Sequence, residues 1–290
     1  MIDLCNINDI KGLLGRHGFN FSKSLGQNFL TASWVPERIA LESGVGRGCG
    51  VLEIGPGVGC LTTQLAKYAS KVVAVELDSH LIPVLDETLR HLNNVQVIRA
   101  DIIKLDIAAT ISDCFHQMPV KVCANLPYNI TSPVLTRLIE SGLFESITVM
   151  IQKEVANRIC AKPGTKDYGS FTVFANYYTE PSILFDVSPN CFIPRPKVTS
   201  TVINMKVRKE PPCVIENREH FFKVVRAAFG QRRKTLVNCL ASVFGLPKPI
   251  LEEILISRGF DSRIRGETLG IPEFAEISSV ILKKAQEDIG

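Results

Sequence analysis

The apolar positions change period near residue 211. Between residues 51 and 151, short runs of Val, Ile and Leu alternate with helical stretches. VLEI (51–54), VVAVE (72–76), VQVIRA (95–100), VKVCAN (120–125) and ITVMI (147–151) are strand candidates, and LTTQLAKYA (61–69) has a helical pattern. Asp78 is placed to open the helix after the second strand. Strands alternating with helices predict βαβ units and a mostly parallel sheet. These strands are apolar throughout, as expected of a sheet covered on both faces.

Beyond Pro211–Pro212 no strand pattern remains. HFFKVVRAAF (220–229), TLVNCLASVF (235–244), LEEILISR (251–258) and EFAEISSVILKKA (273–285) all carry helical periodicity, and Gly245–Pro249 and Gly270–Pro272 mark turns between them. The pattern predicts an α/β domain over 1–208 and a small all-helical domain over 209–290.

Composition narrows the function classes. A chain of 290 residues with 46% hydrophobic and 21% charged residues builds a core without staples. No run approaches the ~18 apolar residues of a membrane span. Asp3 and Asp9 stand where a signal peptide would be basic, so an intracellular, cytoplasmic protein is expected. Nine cysteines without C-x-x-C and five histidines without H-x-x-x-H argue against a disulfide framework and against a metal site. The net charge of +4 is unevenly spread: five basic residues and no acid lie between Val187 and Lys209, and again between Lys223 and Lys234. Such patches suit a polyanion, although a solvated helix face has the same composition.

The local chemistry centres on V-L-E-I-G-P-G-V-G-C-L-T (51–62). A strand runs into Gly55, Gly57 and Gly59 and a helix follows, so the backbone can approach a ligand closely. Glu76 ends the next strand, where an acid commonly binds a ribose, and Asp101 ends the third. No Gly-Lys-Ser/Thr follows the loop, which excludes a Walker phosphate site, and the G-x-G-x-x-G spacing of dinucleotide sites is absent. The fourth strand ends in Asn125-Leu126-Pro127-Tyr128. This tetrapeptide resembles the (D/N/S)-P-P-Y motif of amino methyltransferases, and the resemblance implies an exocyclic adenine amine as acceptor, a poor nucleophile because its lone pair is delocalised. The Asn125 side-chain carbonyl and the Leu126 backbone carbonyl can accept its two N–H bonds, and Tyr128 can stack on the purine. The methyl transfer that this resemblance implies requires no dedicated general base, because its leaving group departs neutral.

The E-x-G-x-G-x-G loop resembles that of class I, Rossmann-like S-adenosylmethionine methyltransferases. Ser24-Leu25-Gly26-Gln27-Asn28-Phe29-Leu30, I-Q-K-E-V-A-N-R (151–158), Y-G-S-F-T-V (168–173), F-I-P-R-P-K-V-T-S (192–200) and F-G-Q-R-R-K-T-L-V-N (229–238) extend the likeness over residues 20–270. Together they resemble the rRNA adenine N6,N6-dimethyltransferases, and within them the bacterial small-subunit branch. The resemblance implies S-adenosylmethionine as cofactor, contacted by Asn28, Leu30, Gly55, Gly57, Gly59, Glu76, Asp101 and Asn125. It implies a catalytic Asn125-Leu126-Pro127-Tyr128 and a flipped adenine between Tyr128 and Phe192, unless Phe192 is core. Arg195, Lys197, Arg232, Arg233 and Lys234 become candidate phosphate contacts, unless they are solvated or internally paired. The implied substrate is two adjacent adenosines in the 3′-terminal hairpin loop of 16S rRNA, within an immature small subunit, acted on by a monomer. A 23S rRNA methylase of the resistance type and a non-catalytic RNA-binding factor stay open as alternatives. Cys239 and Arg265-Gly266-Glu267-Thr268-Leu269-Gly270 depart from the family pattern, which has a second Asn at the first and R-A-E-x-L-S at the second.

Overall fold

The computed structural model describes residues 2–21 and 25–287. The elements run α1 (Ile7–Arg16), β1 (Phe29–Leu30), α2 (Trp34–Glu42), β2 (Gly50–Ile54), α3 (Cys60–Tyr68), β3 (Lys71–Glu76), α4 (Ile82–Leu89), β4 (Val95–Arg99), α5 (Ile107–Phe115), β5 (Val120–Asn125), α6 (Thr131–Ser141) and β6 (Ser146–Gln152). They continue with α7 (Lys153–Ile159), α8 (Ser170–Tyr178), β7 (Thr179–Val187), β8 (Phe192–Ile193), β9 (Ser200–Val207), α9 (Arg218–Gly230), α10 (Leu236–Phe244), α11 (Lys248–Ser257) and α12 (Ile271–Glu287).

The chain divides into two compact units: residues 1–156 with 180–207, and residues 157–179 with 208–290. In the first, seven strands lie in the order β4-β3-β2-β5-β6-β9-β7. The pairs β2–β3, β3–β4, β2–β5 and β5–β6 are parallel, and β9 joins β6 antiparallel. β2, the first strand of the glycine loop, is buried along its whole length, and β3 and β5 flank it. Their carboxyl ends lie together where the chain order reverses, the usual ligand crevice of an open α/β sheet. A core beneath α2 and α3 gathers Val35, Ile39, Val51, Leu61, Leu65 and Val72. A second packs α1 through Ile10, Leu13 and Leu14 onto Phe29, Val58, Leu81 and Val84. Asn6 caps α1 by accepting from the amides of Asn8 and Asp9.

The second unit is helical. Phe221, Val224, Val225 and Ala228 of α9, Leu236 and Leu240 of α10, Leu251 and Leu255 of α11, and Phe274, Ile277 and Ile281 of α12 form its core. Tyr168 and Val173 belong to the same core, and Tyr168 Oη donates to the Leu269 carbonyl at 2.9 Å. A division at 208/209 leaves residues 157–179 with the α/β part; the structure groups them with the helices. The reason is α8, SFTVFANYY, whose Phe174 and Tyr177 rings meet Phe222 at 5.6 Å.

Two other local expectations change, and one set of strands has no signal in the sequence. Asp78 does not open α4, which begins at Ile82; Asp78 holds the preceding turn by accepting from the His80 amide at 3.0 Å. β4 is an edge strand and is not covered on both faces: Gln96 and Arg99 are exposed. The strands at 179–207 carry no continuous apolar run, and β7 contains Pro181 with exposed positions, as an edge strand allows.

Candidate active site

A cavity opens at the carboxyl ends of β2, β3, β4 and β5. The glycine loop forms its floor. Gly55, Gly57 and Gly59 have φ of 67°, 62° and 91°, a region that side-chain-bearing residues rarely adopt. Their surroundings differ. A Cβ on Gly57 would stand 3.0 Å from the Phe29 ring, and one on Gly59 would meet Leu89 of α4 at 2.8 Å. Gly55 and Gly57 line the cavity, but Gly59 does not. Gly59 therefore belongs to the packing of the loop on α4 rather than to the cofactor wall expected from sequence.

Asn28, Leu30, Glu76, Asp101 and Asn125 all line the cavity, as do Leu126, Pro127 and Tyr128. Glu76 is buried, and its Oε1 accepts from the Asp78 amide at 2.8 Å. The Gly57 and Leu77 amides also bond to its carboxyl. Burial raises its pKa and outweighs these bonds. Asp101 lies two residues beyond the end of β4 and fixes its own loop, accepting from the Ile103 amide at 2.9 Å.

The segment around Asn28 lies against the Asn125–Tyr128 turn. Asn125 Nδ2 donates to the Asn28 carbonyl at 3.1 Å, which commits the donor end of the amide to the loop. The acceptor end, Oδ1, is directed away from that carbonyl. A Cβ on Gly26 would come within 3.0 Å of Asn129 Oδ1 and 3.4 Å of Pro127. Asn28 Nδ2 closes the turn on the Gly26 carbonyl at 3.0 Å. Ser24, the first residue of this motif, is outside the described residues.

Tyr128 is half-buried, and its Oη is hydrogen-bonded to Ser200 Oγ at 2.7 Å. Burial raises the phenol's pKa, against the lowering effect of that bond, so the ring stays neutral at physiological pH. Ser200 is fully buried at the start of β9. It closes the K-V-T-S segment, but nothing in the sequence ties it to Tyr128. Gln27 Nε2 donates to Asp78 Oδ2 at 2.7 Å, another link that sequence distance conceals. Asp78 is held below the usual carboxylate range: burial opposes this, but bonds from the His80 amide and from Gln27 prevail.

Phe192 is not among the residues that line the cavity. It is 5% exposed, pairs with Leu30 between β1 and β8, and belongs to the core beneath α2 and α3. Burial of an apolar ring against Leu30 outcompetes its exposure on the rim. Arg195 and Lys197 are exposed on the loop after β8. Arg232, Arg233 and Lys234 are exposed on the turn between α9 and α10. Arg232 is not a free cation: Nε donates to Glu267 Oε2 at 2.8 Å and Nη2 to the Thr165 carbonyl at 3.2 Å. The departure at Gly266 has a steric cause. A Cβ there would stand 2.7 Å from the Ala228 Cβ of α9.

The lining decides which cofactor fits. Among the described residues it holds three carboxyls, Glu53, Glu76 and Asp101, and no Lys, Arg or His. A phosphate or pyrophosphate would meet repulsion there. A ligand with a ribose diol, an amine and a positive charge fits these acids and the glycine cradle. Among the described residues no group of His, Cys, Asp or Glu is arranged to hold a metal, and no helix is long and apolar enough to cross a membrane. All nine cysteines are free thiols.

Known proteins bear directly on this geometry. The family model described as ribosomal RNA adenine dimethylase matches residues 18–255. Ribosomal RNA small subunit methyltransferase A of Listeria welshimeri is 46% identical over 281 residues, covering 95% of each chain. The protein of the same name from Geobacillus thermodenitrificans is 45% identical over 97% of each chain. That of Clostridioides difficile is 44% identical over 97% of this chain and 98% of its own. Among solved structures, a dimethyladenosine transferase from Plasmodium falciparum shares the fold with a TM-score of 0.75 at 24% identity, over 88% of this chain and 98% of that one. The 23S rRNA methyltransferase ErmE matches with a TM-score of 0.68 at 25% identity, over 87% and 99%. A match of this extent, over the glycine loop, the Asn-Leu-Pro-Tyr turn and most of the helical unit, makes the chain a member of the ribosomal RNA adenine dimethylase family.

Proposed function

We propose that this protein uses S-adenosylmethionine to dimethylate N6 of two adjacent adenosines in the 3′-terminal hairpin loop of 16S rRNA. It acts as a monomer in the cytoplasm, on the immature small subunit. The observation that carries this reading is the Asn125–Tyr128 turn set at the rim of a cavity whose charged side chains are all acids. The small-subunit assignment follows the names of the relatives at 44–46% identity.

The α/β unit is the catalytic part and the helical unit the RNA-binding part. Gly55, Gly57, Glu76, Asp101, Asn28 and Leu30 would hold the cofactor, which supplies an electrophilic methyl on a sulfonium. Asn125 Oδ1 and the Leu126 carbonyl accept the two N–H bonds of the adenine amine. This favours a pyramidal nitrogen whose lone pair points out of the ring plane. Tyr128, neutral and held by Ser200, offers its ring to a base drawn out of its stack. Fixing amine and methyl donor side by side supplies much of the acceleration through orientation. The proton on nitrogen leaves after transfer, so no basic side chain is needed. Exposed Arg195, Lys197, Arg233 and Lys234 are the phosphate contacts, with Arg232 joining them if its pairing with Glu267 yields to RNA.

Methyl transfer from labelled S-adenosylmethionine to unmethylated small subunits, with unmethylated 23S rRNA in parallel, tests this. The expected product is N6,N6-dimethyladenosine in 16S rRNA. Label confined to 23S rRNA would overturn the substrate, and label on neither RNA would overturn the enzymatic reading.

A further inference from the structure

Glu53 is a buried acid that the mechanism above does not use. It sits on β2 one residue before the strand's end and is 1% exposed. It lines the cavity, yet its buried Oε2 makes no well-formed hydrogen bond, and the nearby buried Thr62 hydroxyl offsets its charge only in part. An unpaired carboxylate in such a place is costly, so the free protein favours the protonated acid.

Its register places it under the ligand. Glu53 is level with Ala74 of β3 and with Cys123 of β5. Glu76 and Asn125 follow those residues by two positions, so all three side chains share one face of the sheet. Glu53 therefore stands one pleat, about 7 Å, behind both the expected ribose acid and the catalytic amide. A cation bound in the cavity beside Asn125 and the glycine loop would lie close to this carboxyl.

We propose that Glu53 senses the charge of the methyl donor: it holds a proton in the free protein, releases it when the sulfonium cofactor enters, and regains it when the neutral thioether product remains. This rests on the reading of the cavity as an S-adenosylmethionine site. The carboxyl O–H breaks, the proton goes to solvent, and the carboxylate faces a fixed cation. After transfer the sulfur is uncharged and the carboxylate again lacks a counter-charge, so a proton returns from solvent. Glu53 thereby favours the loaded cofactor over the spent one.

The groups acting on Glu53 are consistent with this. Glu76 faces it from β3, Cys60 and the Thr62 hydroxyl from α3, and Cys123 from β5. The three titratable ones are all acids. Burial, lessened by Thr62 and reinforced by Glu76, pushes the Glu53 pKa up to about 8. A fixed positive charge at about one pleat's distance moves it down again by a unit or more.

The test is titration calorimetry of the full chain at pH ~7.5, in buffers of different ionisation heat, for which a group at about 8 is still mostly protonated. S-adenosylmethionine and S-adenosylhomocysteine are each titrated into wild type and Glu53→Gln, an isostere of the protonated acid. The α-ammonium of both ligands titrates in the same range, and Glu53→Gln reports that contribution by itself. On binding S-adenosylmethionine, wild type is expected to release roughly half a proton or more in excess of what Glu53→Gln releases. With S-adenosylhomocysteine the two proteins should differ little. The preference for the loaded over the spent cofactor should fall by roughly tenfold in Glu53→Gln. A merely structural role would weaken both ligands alike and leave proton counts equal, and that result would overturn the proposal. If Glu53→Gln fails to fold, equal proton release by the two ligands in wild type would overturn it instead. Binding of neither ligand to wild type would remove the cofactor reading on which it stands.

Discussion

Glu76 and the Arg232–Lys234 turn are both singled out by short motifs, but the fold treats them differently. Glu76 is buried at a strand end and gripped by amides of Gly57, Leu77 and Asp78. The arginines lie exposed on a turn, and the one with a fixed geometry, Arg232, owes it to Glu267 and the Thr165 carbonyl. The cavity is organised before any ligand arrives, because burial leaves each polar group few alternatives. The basic turn is held less closely, because solvent screens its charges and leaves the rotamers of its exposed side chains open.

The contrast can be broken most sharply at Asn125. Asn125→Ala removes the acceptor for the amine and the link to the Asn28 carbonyl. Single-turnover methyl transfer at saturating cofactor is expected to drop by ~10²-fold or more. A drop of only a few-fold would show that Leu126 and Tyr128 suffice.

Glu53 gives the next largest effect, in stability. Its pKa lies near 4.5 in the unfolded chain and about 8 when folded. A raised carboxyl pKa stabilises the fold fully below the lower value, and this contribution is lost as pH rises through the upper one. Wild type should therefore lose on the order of 2–4 kcal/mol across this window, and Glu53→Gln should not. Denaturant titrations at several pH values decide it, and parallel curves for the two proteins would contradict the assignment.

Glu76→Ala is expected to weaken cofactor binding by ~10–100-fold while RNA binding stays within about twofold. Equal losses for cofactor and RNA would mean that the carboxyl serves the fold at large. The smallest effect belongs to the exposed turn. Arg232→Ala with Arg233→Ala should reduce the slope of log RNA affinity against log salt by about 1, with cofactor affinity unchanged. An unchanged slope would take these residues out of the interface.

Much of this is visible in the linear chain, for reasons that are local. β2, β3, β5 and β6 appear as apolar runs because both of their faces are covered, and the glycine loop appears because side-chain-bearing residues rarely adopt its φ values. Asn125–Tyr128 is readable because its chemistry is held by four consecutive residues. Other features depend on neighbours far apart in sequence. The Ser200 bond to Tyr128 spans 72 positions and the Asn125 bond to Asn28 spans 97. Gly59 looks equivalent to Gly55 and Gly57 in the sequence, and only its proximity to Leu89 sets it apart. Phe192 sits in a family motif, but its ring lies beside Leu30.

The sequence by itself determined the alternation of elements, the conformation of the loop and the residue types at the reacting turn, since these follow from backbone sterics and side-chain chemistry over a few residues. Tertiary structure decided which glycines line the cavity, that residues 157–179 join the helical unit, that Phe192 is core, and that Glu53 is a buried acid with an unpartnered oxygen at the cavity. Burial, counter-charge and hydrogen-bond satisfaction are properties of surroundings assembled from distant segments, and they come into being only when the chain has packed.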